Sequence, residues 1–425
     1  MSDVTAVPST LDTAEPGIGA PPLWRRCAAA LVPPLVALVA AWAMIAIRSP
    51  YRGLRLFDPV SYGRWDTGHY LQIARDGYNA VWHCGGIHLQ PHLPPGNYLC
   101  GTIGWFPGYP FTMRALSEVT GLSLRTVGLI LAWLCWYLVL ILMWRLLADA
   151  SSIWTRWMCL LIAAFFPGQI YFAAIFPISM CIAGILACLY FALRTSRPAF
   201  AWAGFAAGFV AAFSYLTAIV LLPALLVTGL LILRGQRRRQ AIIPAVGAAA
   251  GFGAVLLTMQ VAVGIWDAYF ISVKKYRVGV HSPLETLIDR LRPLWTPQSS
   301  SQQVLNYIAA QTLLTLCLFG LVCLLTIIGA VRGPHTAEMR PRTWAAAVEN
   351  RISAFDLTFL LMSLGVWLLP YIAGGDASTY RSEAFVIVSV PLLRRLPAWL
   401  LVVPLGAAVY VAWRMAPYFF NGQLM

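Results

Sequence analysis

The chain has 425 residues, 60% of them hydrophobic and only 11% charged, against about 25% charged in an ordinary soluble domain. That balance excludes a soluble globular enzyme, a disordered chain and a nucleic-acid-binding domain. The net charge of +14 is therefore read by its position along a membrane.

In chain order, residues 1–22 are polar and rich in Pro, Ser and Thr, which reads as a disordered tail ahead of a single membrane domain over 23–425. A helix needs about 20 mostly apolar residues to cross a bilayer. Such stretches lie at 27–47, 124–147, 155–175, 177–194, 199–217, 219–233, 240–263, 304–331, 354–372, 380–394 and 398–416. They predict an all-α polytopic membrane protein with roughly eleven spans. The first stretch has no small-residue cleavage site, so it reads as an anchor and not a cleaved signal.

Arg placement in short loops sets the orientation. With the N-terminus inside, beside Arg25 and Arg26, the inside loops hold Arg145 and Arg156, Arg194 and Arg197, the Arg234–Arg239 cluster, Arg332 to Arg351, and Arg394 with Arg395. The short outside turns near 176 and 218 carry no cation. The C-terminus then falls outside, together with two long segments, 48–123 and 264–303. Their cations suit anionic lipid headgroups or a phosphate site where the two segments meet.

RWDTGHYLQIARDGY, Arg64 to Tyr78, is the most informative stretch. Upstream, Asp58-Pro59 reads as a helix start, with Asp as N-cap and Pro at the first helical position. Asp66 and His69 are three apart and can point at one spot on a helix. Trp65, Tyr70 and Tyr78 suit a helix lying in the membrane interface. Asp66 is either a chemical carboxylate or one half of an ion pair with Arg64 or another Arg.

Cys84 and Cys100 flank HCGGIHLQPHLPPGNYLC, while the other cysteines fall in predicted spans. Two loop cysteines on an oxidising face predict a disulfide. His83, His88 and His92 match no tight metal-ligand spacing, so no metal is expected there. In WFPGYPFTMR, Trp105 and Tyr109 are candidate walls of a sugar or lipid groove, or plain interface anchors. Asp356 opens a late span, and Arg381 and Glu383 sit at the outer start of another, where charge is costly and usually functional. Arg381 either binds phosphate or pairs with Glu383 or Asp376. The chain has no GxxxxGK[ST], GxGxxG, DxD or HExxH, so a nucleotide-driven pump and a nucleotide-sugar enzyme get no support.

At RWDTGHYLQIARDGY the chain resembles the PIG-V family of integral-membrane mannosyltransferases, of the GT-C glycosyltransferase class. Trp65, Asp66, His69, Tyr70, Ile73, Ala74, Gly77 and Tyr78 carry the resemblance, followed by Phe106, Pro107, Tyr109 and Pro110. Phe166-Pro167, Leu221-Leu222-Pro223 and Tyr380-Arg381 sit at compatible positions. Two blocks depart from the family: Ser214 to Thr217 lacks its Arg, and Pro177 to Ser179 replaces a Ser-Glu-type pair.

The resemblance implies a GT-C-like bundle whose large first outer loop carries short interfacial helices. It implies transfer of a mannose-like sugar, with inversion, from a polyprenyl-phosphate carrier to a hydroxyl of a glycolipid, polysaccharide or protein. The expected place is a cell membrane, bacterial sooner than endoplasmic reticulum, with the site on the outer face. Asp66 would be the general base and His69 its orienting partner. Arg64, Arg381, Lys274, Lys275 and Arg277 would stabilise the departing phosphate. Trp65, Tyr70, Trp105, Tyr109 and Tyr380 would line the substrate groove. No cofactor or metal is expected, since a monophosphate leaving group facing several cations need not recruit one. A flippase for a lipid-linked sugar and a non-catalytic membrane subunit are the competing classes.

Overall fold

The computed structural model describes residues 22–85, 97–195, 197–276, 278–299, 302–331, 352–374 and 379–424. Helix α1, Leu23–Arg48, is followed by a short-element segment holding α2 (Thr67–Asp76), strands β1 (Val81–Gly85) and β2 (Asn97–Gly101), and α3 (Gly108–Thr120). Next come α4 (Leu124–Leu146), α5 (Ile153–Ala164), α6 (Ile170–Ala173), α7 (Ile178–Leu193), α8 (Ala199–Ser214), α9 (Leu221–Leu231) and α10 (Gly235–Val263). A second segment carries α11 (Ala268–Val273) and α12 (Pro283–Leu291). The chain closes with α13 (Gln303–Val331), α14 (Ala354–Ala373), α15 (Thr379–Glu383) and α16 (Val402–Phe420). The tail and the loop 332–351 lie outside the described residues.

Local chemistry sets several of these starts. Ser123, Ser152, Ser282 and Ser353 each accept the backbone N–H three residues on, capping α4, α5, α12 and α14. Asp58 accepts from the Val60 N–H at 2.9 Å, with Pro59 first in a 3-10 turn, Pro59–Tyr62.

Among the described residues, six helices are long and apolar enough to cross a membrane, and four apolar helices are shorter. This is a multi-pass membrane protein. Two expected spans are corrected. The stretch at 155–175 is not one helix. It ends at Ala164, passes Pro167 and Gly168 at φ 84°, and restarts as the single turn α6. The proline cannot continue the helix, and only glycine adopts that φ freely.

The stretch at 380–394 is not an α-helix either. After the five residues of α15, Ala384–Arg395 runs as a 12-residue 3-10 helix around Pro391. Runs beyond three or four residues are uncommon in this geometry, which rises about 2.0 Å per residue. The run thus covers about 24 Å, most of a hydrocarbon core of about 30 Å. From Ala384 to Arg394 every residue is buried, against α13, α14 and α5.

Helices α8 and α10 make the closest pairing. A Cβ at Gly247 or Gly251 would sit 2.3 Å from the carbonyl oxygen of Phe205 or Phe209. The spacing is the small-residue pattern that lets helix backbones touch in lipid.

The far end of the 3-10 run carries a closed ionic network. Arg394, 3% exposed, pairs with Asp149 at 3.1 Å and Asp356 at 2.8 Å. Arg194 holds Asp149 at 2.6 Å and Arg395 holds Asp356 at 2.7 Å. Burial pushes the Asp149 carboxyl up, but Arg394 and Arg194 outweigh it and hold it below its ordinary value.

Candidate active site

Asp66 lies just ahead of α2, at the end of a sharp turn. Trp65 has φ 39°, the one positive φ at a non-glycine among the described residues. Such a conformation costs on the order of 1–3 kcal/mol and persists only where its surroundings hold it. Here they do. Thr67 accepts the Arg64 N–H at 3.1 Å and donates to the Ile175 carbonyl at 3.2 Å. The Arg64 guanidinium donates to Tyr51 Oη at 3.0 Å and to the Phe420 carbonyl at 3.1 Å. The turn is thus tied to the α6–α7 link and to the end of α16.

The turn aims Asp66 at Arg381 of α15, and the two form a salt bridge across 315 residues. Arg381 is 7% exposed. The rings of Phe176, Tyr171, Trp65 and Tyr380 surround its guanidinium at 5.2, 5.5, 5.7 and 6.0 Å. Its Nε is buried without a hydrogen-bond acceptor among the described residues. A buried cation with one carboxylate and an aromatic cage is costly to assemble, and ring faces return part of that cost.

Glu383 does not pair with Arg381. It is 1% exposed and accepts from Thr312 at 2.6 Å, Gln311 at 2.9 Å and Tyr371 at 2.9 Å. Gln311 also donates to the Tyr380 carbonyl at 2.6 Å. These bonds fix α15 to α13 and α14 and so fix Arg381. Asp376, the other expected partner, lies outside the described residues.

His69, one turn beyond Asp66, stacks on Trp105 with ring centres 3.6 Å apart. Burial lowers its pKa, with Asp66 opposing and Lys275 adding to the effect. The imidazole is therefore neutral near pH 7. Lys275 is 3% exposed and donates to the Leu99 carbonyl at 3.3 Å and Ser272 Oγ at 3.2 Å. Burial pushes its pKa down to about 8. Leu99 belongs to the β1–β2 hairpin, which is cross-linked by a Cys84–Cys100 disulfide.

A cavity of about 180 Å³ opens beside these groups. Tyr70, Trp105, Tyr215, Tyr269, Thr217 and Ser382 are among its walls. Tyr70 is one helical turn from Asp66, and Ser382 follows Arg381 in the chain. Asp66, His69, Lys275 and Arg381 do not themselves line the cavity; Trp105, stacked on His69, and Ser382, next to Arg381 in the chain, do.

The structure therefore gathers Asp66, His69, Arg381, Tyr70, Trp105 and Lys275. Trp65 and Tyr380 belong to the cage around Arg381 and not to the cavity wall. Arg64 is spent on the turn. Tyr109 is in the core, donating to the Gly128 carbonyl at 2.7 Å. Lys274 is exposed, His83 is exposed, and Arg277, His88 and His92 lie outside the described residues. Among the described residues no group of three His, Cys, Asp or Glu could hold a metal ion.

Several members escaped the sequence. Tyr215 and Tyr269 wall the cavity, and Tyr171 and Phe176 complete the cage. Gln311 and Thr312, polar residues inside an apolar span, were the available signal for the Glu383 clamp.

No family model and no curated protein matches this chain. Solved structures do, and they define the class of fold: a GT-C-like bundle. The apo oligosaccharyltransferase of Archaeoglobus fulgidus aligns with TM-score 0.53 at 12% identity, over 93% of this chain and 57% of that one. The same enzyme tethered to an acceptor peptide with the NVT sequon aligns with TM-score 0.48 at 11% identity, over 94% and 56% of the two chains. In complex with an inhibitory peptide and a dolichol-phosphate, it aligns with TM-score 0.46 at 13% identity, over 91% and 56%. The chain thus spans little more than half the length of these structures.

Proposed function

We propose that this protein is an inverting glycosyltransferase that moves a hexose, mannose in the first instance, from a polyprenyl-phosphate carrier to a hydroxyl acceptor. The Asp66–Arg381 pair beside the cavity carries the reading. The GT-C-like fold supports it, and the Trp65–Tyr78 motif supplies the mannose. The Arg-rich end, with Arg194, Arg237, Arg394 and Arg395, is the cytoplasmic one. The site then faces the other side of a cell membrane.

The pair suggests how the step is gated. At rest each partner neutralises the other. A donor phosphate gives Arg381 a second anion, and its fork suits phosphate oxygens. Asp66 is then free to accept the acceptor's proton. The acceptor oxygen bonds to the anomeric carbon, the bond from that carbon to phosphate oxygen breaks, and polyprenyl phosphate leaves. Lys275 adds positive charge near the leaving group, and neutral His69, stacked on Trp105, steadies the acceptor side.

The test is purified protein with polyprenyl-phosphate mannose and candidate lipid, glycan and peptide acceptors. A mannosylated product whose linkage is inverted relative to the donor is expected. Donor crossing the bilayer unchanged would overturn the reading. The broken stretch at 165–170 also suits that second reading, a translocator of lipid-linked sugar.

A further inference from the structure

A second cavity, of about 420 Å³, lies at the opposite end of the 3-10 run from Asp66. Arg194, Arg237, Arg394, Arg395, Gln240 and Phe355 are among its walls. We infer that it binds the phosphate of an anionic lipid headgroup, an inference independent of the sugar-transfer reading.

The charge balance is the first argument. Among the described residues, four guanidiniums face two carboxylates, Asp149 and Asp356, and both carboxylates are already paired. Arg194 and Arg394 each lie 4.4 Å from the centre of the same Phe355 ring, so two like charges share one aromatic ring. Arg237 pairs with no carboxylate among the described residues and is exposed.

The second argument is an unused donor. Gln240 is 2% exposed, borders the cavity, and its Nε2 has no hydrogen-bond partner among the described residues. Leaving such a donor unpaired is costly, and an anion oxygen would satisfy it. The third is electrostatic. The first turn of α10 holds Arg237, Arg238 and Arg239 and no acid. Cations there oppose the helix dipole, so the helix alone does not account for them. An anion seated against this turn would. The apolar side walls Leu193, Leu233 and Ala354 fit the glycerol end of a lipid better than a bare ion.

Native mass spectrometry of delipidated protein in detergent tests this, titrated with phosphatidylglycerol, with phosphatidylcholine as control. One phosphatidylglycerol should be retained, at least about tenfold more tightly than phosphatidylcholine. Arg237→Ala and Gln240→Leu should each weaken it by about fivefold. Millimolar inorganic phosphate is added in a third arm. If it binds where phosphatidylglycerol does not, the source is a free anion and the phosphate site stands. Equal retention of the two lipids overturns the site, as does undiminished phosphatidylglycerol retention by both variants. Because Arg237 is on the surface, Arg237→Ala should melt at the wild-type temperature and read binding alone.

Discussion

The 3-10 run buries an arginine near each end and treats the two differently. Arg394 meets two carboxylates, which two further arginines also hold. Arg381 meets one carboxylate and four rings, and it keeps a spare Nε–H. The Arg394 network gives each of its carboxylates two arginines, so neither carboxylate is free to leave, although the cluster can still take up a further anion. A single pair beside a cavity can trade its carboxylate for an incoming anion. The Arg394 end therefore reads as structure and charge storage, and the Arg381 end as chemistry.

The largest expected contrast is in transfer rate. Asp66→Asn should lower transfer of labelled mannose by about 10²–10⁴-fold, while Asp149→Asn should leave it within about twofold. Equal losses in the two would erase the distinction. Thermal melts should reverse the order. Arg394→Ala leaves two carboxylates short of a partner and should cost about 3–5 kcal/mol. Arg381→Lys keeps the charge but not the fork, so it should shift the donor KM more than the Tm.

Replacing both Cys84 and Cys100 by Ser should cost about 3 kcal/mol. Because Leu99 of the same hairpin accepts from Lys275, the donor KM should rise as well, which destabilising variants at the Arg394 end would not mimic.

The smallest effect is in pH. As pH rises through about 8, Lys275 loses its proton and the donor KM should climb a few-fold. Lys275→Arg should flatten that slope. The sign for stability is opposite. The unfolded lysine holds its proton up to its ordinary value of 10.5, so folding gains stability between about 8 and 10.5. At the Arg394 end Asp149 is held below 3.8, so its share is present above that value and is lost as pH falls through the depressed one. Urea melts across both windows would check the two signs.

Much of this was legible in the residues. The hydrophobic runs marked most of the apolar helices, and Arg64 to Tyr78 held Asp66 and His69 of the candidate site. What stayed hidden is long-range or geometric. Nothing in Asp66 names a partner 315 residues away, and the sequence offered Glu383, the nearer carboxylate, which Thr312 and Tyr371 already occupy. Pro167 and Gly168 signalled the break in the third stretch, but surrounding hydrophobicity outweighed them. The 3-10 run was illegible because its pattern, apolar on every side, suits any buried helix. Tyr215 stood out only as a departure from the family pattern, yet it faces the cavity.

The 3-10 run also makes the chain between Arg381 and Arg394 a fixed-length spacer. Removing or adding one residue would swing one end about 120° around the axis and slide it about 2 Å. Only one of the two arginines could then meet its carboxylates. Single-residue indels in Ala384–Leu393 should therefore be far less tolerated than side-chain swaps there, because they break the alignment between the two arginine clusters and not merely the packing.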